Sequence, residues 1–84
     1  MEGQTWWVYI LQCADGTLYT GMTDHVELRL KAHNEGKGAK YTRGRAPMIL
    51  VYREECGRRS EALKREYAIK QMPRRKKLEL INLA

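Results

Sequence analysis

The sequence has few cysteines and no long apolar run. Its two cysteines, Cys13 and Cys56, are too few for a disulfide scaffold or a four-ligand zinc site, so we expect reduced thiols in the core. No apolar run approaches the roughly 18 residues of a membrane span, and the first residues lack the basic segment of a signal peptide. These absences predict a cytoplasmic protein that does not enter a membrane.

Repeats, low-complexity tracts and interdomain linkers are also absent from the 84 residues. A domain usually has about 50 to 250 residues, so the length predicts a single domain over residues 1–84. Hydrophobic residues make up 43% of the chain and charged residues 31%, which is typical of a globular protein rather than a disordered one. We therefore expect one small folded unit with a thin core.

The charges are unevenly distributed along the chain. The net charge is +6, but residues 1–42 carry a net charge of −1 and residues 43–84 a net charge of +7. A basic half on a small domain favours a polyanionic partner, of which nucleic acid is the simplest. Charge alone does not distinguish a nuclease from a protein that only binds nucleic acid, so both hypotheses stay open at this point.

The pattern of apolar and turn-forming residues predicts an α+β fold with the element order ββαβαα. A three-stranded antiparallel sheet with helices packed on one face would be the simplest arrangement of these elements. Thr23 or Asp24 is expected to cap the first helix, and Pro73 suits the first turn of the last. The predicted strands are 6–13, 17–23 and 48–54, the first helix ends near 34, the second covers 60–72, and a mobile basic loop covers 35–47.

The first two strands form a hairpin whose register decides where Tyr9 and Tyr19 point. With the two-residue loop Asp15-Gly16, the two tyrosines would lie on opposite faces of the sheet. With a three-residue loop, in which Gly16 adopts a left-handed conformation, Tyr9 pairs with Gly21 and shares a face with Tyr19. Glycine opposite a tyrosine would leave a hollow beside the phenol, which we assign to the substrate. Otherwise the two tyrosines are a pair of core side chains.

Two of the predicted helices carry polar side chains where chemistry is expected. Arg29 and His33 are neighbours on one face of the first helix, where they would either face a phosphate or form an exposed polar surface. The apolar stripe of the second helix comprises Ala62, Leu63 and Ile69. Glu66 lies on the same stripe, where a carboxylate needs a cation, a metal ion or water beside it. A structural salt bridge would meet that need as well as a metal site.

Taken together, these residues resemble the GIY-YIG domain, a small nuclease fold named after two tripeptides. The tripeptides occur here as Val8-Tyr9-Ile10 and Tyr19-Thr20-Gly21, so a valine replaces the first glycine and a threonine the second isoleucine. The arginine and histidine of the first helix and the glutamate of the second follow in the family's order, and the resemblance covers about residues 6–72. The segment 36–44 is similar to that of small standalone bacterial members, whose nuclease module also resembles that of the structure-specific Slx-type endonucleases.

The resemblance implies an endonuclease that cleaves DNA with one divalent metal ion. In this interpretation Tyr9 and Tyr19 line the site, and Tyr9 takes a proton from the attacking water, which His33 or Tyr19 passes on. Arg29 contacts the scissile phosphate, and Glu66 holds Mg²⁺ or Mn²⁺. Neighbouring cations are expected to favour the phenolate, although the sequence does not decide which tyrosine is the base.

One feature departs from the family pattern. Several relatives, such as the excision-repair incision enzymes, have an asparagine shortly after the metal-binding helix, where this chain reads Met72-Pro73-Arg74-Arg75-Lys76-Lys77. How the site is completed therefore stays open. A role in DNA repair is an expectation that comes from the resemblance alone.

The basic loop is expected to bind DNA by its shape rather than by its base sequence. The residues assigned to the substrate are Gly21, Lys37, Lys40, Tyr41, Arg43 and Arg45. The loop could also be a solvated connection. Two other functions stay open, a nucleic-acid-binding module without catalysis and a protein-interaction domain that docks a partner through its hairpin and Trp6-Trp7. The oligomeric state is not fixed by the sequence, and a monomer is favoured.

Overall fold

The computed structural model describes residues 4–83, and the element order is ββαβαα, so the predicted α+β class is confirmed. Residues 1–3 and 84 lie outside the described part, so the expected single domain over 1–84 and the interpretation of the first residues stay predictions. None of the helices within residues 4–83 has the length and apolar character to cross a membrane. The strands are β1 (Trp6–Gln12), β2 (Leu18–Thr23) and β3 (Ile49–Gly57), and the helices are α1 (Val26–Asn34), α2 (Arg59–Lys70) and α3 (Arg74–Leu83).

The hairpin of β1 and β2 has the three-residue loop. Tyr9 pairs with Gly21, and the N–H of Cys13 donates to the carbonyl of Thr17 at 2.8 Å. Gly16 has a φ of 86°, in the left-handed region that glycine adopts without a steric penalty. The register that puts the two tyrosines on one face is therefore confirmed.

The sheet has the strand order β2-β1-β3, and both strand pairs are antiparallel. Because successive side chains of a strand point to opposite faces, the central strand β1 contributes to two cores. One core contains Val8, Ile10, Ala62 and Ile69, and the other contains Tyr9, Leu11, Cys13 and Met48, with Leu30 of α1 packed against it. The helices thus lie on both faces, and the expectation of one covered face is wrong. Both cysteines are free thiols, as expected.

The residue that caps α1 is His25, rather than Thr23 or Asp24. Its Nδ1 accepts a hydrogen bond from the N–H of Leu28 at 3.3 Å. The Thr23 hydroxyl instead accepts from the N–H of His25 at 3.1 Å, which fixes the turn that leads into the helix. The predicted caps are wrong because this turn shifts the first helical residue to Val26.

The segment between α1 and β3 packs against the sheet. It contains a 3₁₀ turn over Lys40–Thr42, and Thr42 has no exposed surface. The segment's content of glycine and lysine predicts a mobile loop. The buried threonine shows that part of it belongs to the core.

Candidate active site

Three rings from two parts of the fold form the centre of the candidate site. The ring centroids of Tyr9 and Tyr19 are 6.4 Å apart, and the imidazole of His33 lies 5.9 Å from the first and 5.3 Å from the second. The tyrosines come from the hairpin, and His33 comes from the last turn of α1. Tyr9 is 2% exposed and His33 is fully buried. We call these three residues the aromatic cluster.

Gly21 gives the phenol of Tyr9 its place. A Cβ atom at Gly21 would lie 2.5 Å from the hydroxyl oxygen of Tyr9 and 3.1 Å from Cε2 of Tyr19. Both distances are shorter than side-chain atoms normally allow, so any larger residue would push the phenol away. The expected empty space at Gly21 is therefore occupied by the hydroxyl and ring of Tyr9.

His33 links Tyr9 to the segment between α1 and β3. Its Nε2 is 2.9 Å from the hydroxyl of Tyr9, and its Nδ1 is 2.8 Å from Oγ1 of Thr42. The Thr42 hydroxyl donates to the carbonyl of Ala39 at 2.8 Å. The alternative of an exposed polar face on α1 is wrong for His33, which belongs to a buried hydrogen-bonded chain.

Burial sets the protonation states of the cluster. Burial, with the Arg29 charge adding to it, lowers the pKa of His33 to about 4. Burial also raises the pKa of Tyr9 to about 12, although Arg29 opposes the rise. The pKa of Tyr19 is raised for the same reason. At neutral pH the imidazole is uncharged and both phenols are protonated. The charge of Arg29 favours the phenolate, as expected, but burial outweighs it.

Arg29 brings a positive charge to the same place. It lies one helical turn before His33 on α1 and is half-buried. Its charge lowers the pKa of His33 and counteracts the raised pKa of both tyrosines. A guanidinium in this position can bind the oxygens of a phosphate through its planar set of donors.

Glu66 comes from α2, the helix on the other face of the sheet. Ala62 and Ile69, which precede and follow it on the same stripe, have no exposed surface, and the Glu66 side chain is only 16% exposed. The inward position predicted for Glu66 therefore agrees with the structure. Leu63 does not belong to this stripe, because it is 50% exposed.

The carboxylate of Glu66 has two kinds of neighbour. One oxygen lies 3.5 Å from Nζ of Lys70 one turn later, and such half-exposed helical pairs contribute only about 0.5 kcal/mol. Its negative charge also raises the pKa of Tyr9 and of Tyr19, so it acts electrostatically on both phenols. α2 contacts β2, the edge strand that carries Tyr19, and this contact brings the charge close to the cluster.

The donor set fits magnesium better than zinc. Across residues 4–83, no three His, Cys, Asp or Glu side chains come close enough together to enclose a metal ion. Zinc sites need three or four such ligands, whereas Mg²⁺ prefers oxygen, keeps several waters and is often held by one or two carboxylates plus a substrate phosphate. The partly buried carboxylate of Glu66 is an oxygen donor of the kind that Mg²⁺ prefers.

The basic residues assigned to the substrate divide into two groups. Lys37, Lys40 and Arg43 are exposed, and no ion pair within the described residues involves them. Their charges are therefore available to a phosphate backbone. Arg45 is already engaged, since it binds the carboxylate of Asp15 at 2.5 Å.

Tyr41 stacks on the aromatic cluster. Its ring centroid is 5.7 Å from that of Tyr19, and the guanidinium carbon of Arg45 lies 4.3 Å from the centroid of Tyr41. The Nε–H of Arg45 also donates to the Tyr41 carbonyl at 2.8 Å. Arg45 thus fastens the loop to the hairpin turn, and a phosphate would compete with Asp15 for its guanidinium.

Two residues that shape this site, Thr42 and Gly38, were not predicted as site residues from the sequence. Thr42 binds His33, and the imidazole of His33 occupies the space that a side chain at Gly38 would need. Neither residue stands out in a segment rich in glycine and basic residues. Only the contact across the chain reveals them, so no sequence signal could have found them.

Comparison with known proteins gives a family match over most of the chain. Residues 5–79 match the family model described as the GIY-YIG catalytic domain. A UPF0213 protein of Desulfotalea psychrophila is 60% identical over 77 residues, which cover 90% of this chain and 70% of that protein. A UPF0213 protein of Staphylococcus haemolyticus is 53% identical over 75 residues, which cover 89% of this chain and 92% of that protein.

Two solved structures are similar to this one. The solution NMR structure of a UPF0213 protein from Bacillus halodurans has a TM-score of 0.62 and 49% identity, and the match covers 94% of this chain and 84% of that chain. The solution NMR structure of a protein from E. faecalis has a TM-score of 0.64 and 41% identity, with coverages of 99% and 92%.

Proposed function

The chain belongs to the GIY-YIG family, whose domains are usually nucleases, and we propose that it is a metal-dependent endonuclease that hydrolyses phosphodiester bonds in DNA. The observation that carries the proposal is the clustering of Tyr9, Tyr19 and His33 under the charges of Arg29 and Glu66. These groups come from the hairpin, α1 and α2. Phenol and imidazole can transfer protons, guanidinium can stabilise charge on a phosphate and carboxylate can hold a metal ion, and these are the tasks that hydrolysis of a phosphodiester requires.

In the proposed mechanism, the attacking water gives a proton to the oxygen of Tyr9 while the hydroxyl proton of Tyr9 moves to Nε2 of His33. The distance of 2.9 Å between these two atoms supports His33, rather than Tyr19, as the group that receives the proton. A pKa of about 12 makes a preformed Tyr9 phenolate scarce at neutral pH. The coupled transfer avoids forming a phenolate, and the negative charge of a bound phosphate would favour the imidazolium that it creates. Tyr19 then lines the site.

Arg29 would stabilise the charge that develops on the non-bridging oxygens of the phosphate as the water attacks. Its place on α1, one turn from His33, supports a fixed position relative to the aromatic cluster. Glu66 would hold one Mg²⁺ or Mn²⁺ ion, which when bound neutralises charge on the leaving 3′ oxygen. Family nucleases generally use divalent metal ions, and the donor chemistry of Glu66 supports the same choice here.

Lys37, Lys40 and Arg43 would contact the DNA backbone, since their charges are exposed and unpaired within the described residues. Tyr41 and Arg45 would border the same space, and Gly21 would act only by making room for the phenol of Tyr9. Contacts of this kind favour DNA of a particular shape over a particular sequence, and the affinity should fall steeply with salt. A monomer, a location in the cytoplasm and a role in DNA repair are parts of the same proposal.

Substitution of the carboxylate tests the proposal. We expect Glu66→Gln to abolish nicking of supercoiled and branched DNA in Mg²⁺ while folding and DNA binding stay nearly unchanged. Glu61→Gln is the matched control, because it removes the same charge from an exposed position of the same helix and should leave nicking intact. Wild-type nicking should also stop when a chelator is added. Equal nicking by Glu66→Gln and wild type would refute the proposal and indicate a contaminating nuclease.

The same assay separates the alternatives. A nucleic-acid-binding module without catalysis would retain DNA in a salt-sensitive manner and never nick it. A protein-interaction domain would do neither. The ion pair between Glu66 and Lys70 is the observation that favours the non-catalytic alternative, because it gives the carboxylate a partner that is not a metal ion.

A further inference from the structure

The hydrogen-bonded chain behind Tyr9 has a direction that the distances determine. Oγ1 of Thr42 lies 2.8 Å from the carbonyl oxygen of Ala39 and 2.8 Å from Nδ1 of His33. In the structure the single hydrogen of the Thr42 hydroxyl is donated to the carbonyl of Ala39, which can only accept. Toward His33 the Thr42 oxygen can then only accept. Nδ1 of His33 therefore carries a hydrogen.

The protonation state of Nδ1 determines that of Nε2, the other nitrogen of the ring. A neutral imidazole has a hydrogen on one nitrogen only, so Nε2 of His33 is an acceptor. The Tyr9 hydroxyl, 2.9 Å away, must donate to it. The chain thus runs one way, from the phenol of Tyr9 through His33 and Thr42 to a backbone carbonyl.

The surroundings prevent water from replacing these bonds. His33 and Thr42 have no exposed surface, and the imidazole packs directly against the backbone of Gly38, where a side chain would collide with it. If the hydrogen moved to Nε2, the Thr42 hydroxyl would have to turn from Ala39 to donate to Nδ1, and the Tyr9 hydroxyl would lose Nε2 as its acceptor. The loss of buried hydrogen bonds is unfavourable, so the bond of Thr42 to Ala39 favours one tautomer of His33.

We propose that Thr42 is a positioning residue that holds His33 in the tautomer with hydrogen on Nδ1, so that Nε2 is free to receive the proton of Tyr9. The proposal rests on the proposed function of Tyr9 as the group that takes a proton from water. In that step an O–H bond of water breaks as one forms on Tyr9, and the O–H bond of Tyr9 breaks as an N–H bond forms on His33. The proton stops there, because transfer from Nδ1 to Thr42 would require the Thr42 hydroxyl to pass its own proton to the carbonyl of Ala39, which is too weak a base to take it.

The direct test is the ¹⁵N NMR spectrum of histidine-labelled protein near neutral pH. The chain has two histidines, and a His25→Gln variant assigns the signals of His33. We expect wild-type His33 to show a protonated Nδ1 and an unprotonated Nε2. We expect Thr42→Val, which keeps the shape and removes the hydroxyl, to move hydrogen to Nε2, and Thr42→Ser to restore the wild-type pattern.

Thr20→Val is the matched control. Thr20 is also buried, and within residues 4–83 its Oγ1 is the buried side-chain atom that has no hydrogen-bond partner. This substitution should leave the His33 signals unchanged. In the cleavage assay we expect Thr42→Val to lower kcat by about 10- to 100-fold with little change in KM, the usual effect of removing a group that orients an active-site residue. Thr42→Ser should recover most of the loss.

Two results would overturn the proposal. One is a wild-type spectrum in which His33 carries its hydrogen on Nε2. This result does not depend on whether the Thr42 variants fold. The other is a folded Thr42→Val protein that keeps hydrogen on Nδ1 and cleaves at the wild-type rate. A wild type that shows the expected tautomer but cuts no DNA would instead contradict the proposed function and still support the hydrogen-bond assignment.

Discussion

His33 is fully buried, and its environment makes stability depend on pH. Burial, followed by the charge of Arg29, lowers the pKa of the imidazole from 6.5 to about 4. Between these two values the unfolded chain binds more protons at His33 than the folded one, so the free energy of unfolding rises with pH. The stabilisation is fully present above the unfolded pKa and is lost as the pH falls through the folded pKa.

We expect the free energy of unfolding to fall by about 1 kcal/mol between about pH 7 and about pH 5.5, because a shift of one pKa unit corresponds to about 1.4 kcal/mol. Urea unfolding curves at the two pH values measure the change. A His33→Gln variant lacks the titrating group and should lose less stability over the same interval. Equal losses in both proteins would contradict a depressed pKa for His33.

Among the elements, the pairing of β1 with β2 sets the position of the Tyr9 phenol. Tyr9 and Gly21 face each other across the two strands, and a Cβ at Gly21 would lie 2.5 Å from the hydroxyl oxygen and 2.7 Å from Cζ of Tyr9. We expect Gly21→Ala to displace Tyr9 from His33 and to destabilise the fold by about 1 to 3 kcal/mol, the usual cost of overpacking. Urea unfolding and cleavage kinetics would measure the two effects.

A double-mutant cycle separates this collision from a general effect of alanine in β2. Tyr9→Phe removes the oxygen that lies nearest to the added methyl group. Gly21→Ala should therefore cost less stability in the Tyr9→Phe background than in the wild type, although the ring carbon keeps part of the clash. Equal costs in the two backgrounds would show that the methyl group does not meet the phenol.

The elements themselves were predictable from the sequence, but their packing was less so. Helical spacing predicts that Arg29 and His33 share a face, whereas the sequence left two hairpin registers open, and the left-handed Gly16 of the structure decides between them. The sequence did not predict that helices cover both faces of the sheet. Both faces of β1 are apolar, which is the signal that would have indicated it. Leu63 is exposed because it follows Ala62 by about 100° around α2, away from the sheet.

The interior of the site was the least predictable part. Helical periodicity identifies Glu66 as an inward carboxylate, because the rule acts within one element. The contact of His33 with Thr42 joins a helix to a 3₁₀ turn nine residues later, and no periodic pattern describes that segment. Periodic patterns thus predicted site residues on helices and strands, such as Glu66, but not those in the irregular segment, such as Thr42.

At the scale of the whole molecule, charge is arranged differently in space than along the chain. Six ion pairs join described residues, and five of them use a cation and an anion that are both more than a quarter exposed. The cations of the six ion pairs all come from the basic half of the sequence: Arg45, Arg53, Lys64, Arg65, Lys70 and Lys76. Part of the net charge of that half is therefore neutralised locally. The exposed cations Lys37, Lys40 and Arg43 of the loop beside the aromatic cluster take part in none of these ion pairs.

We propose that Glu66, from one face of the sheet, holds a metal ion beside the phenols of the other face. Mn²⁺ broadens the NMR signals of nearby nuclei, so titration of the protein with Mn²⁺ locates the ion directly. We predict selective broadening of Tyr9, Tyr19 and Glu66 in the wild type and in Glu61→Gln, and its loss in Glu66→Gln. Broadening that persists in Glu66→Gln, or that centres on acidic residues away from the aromatic cluster, would contradict the claim.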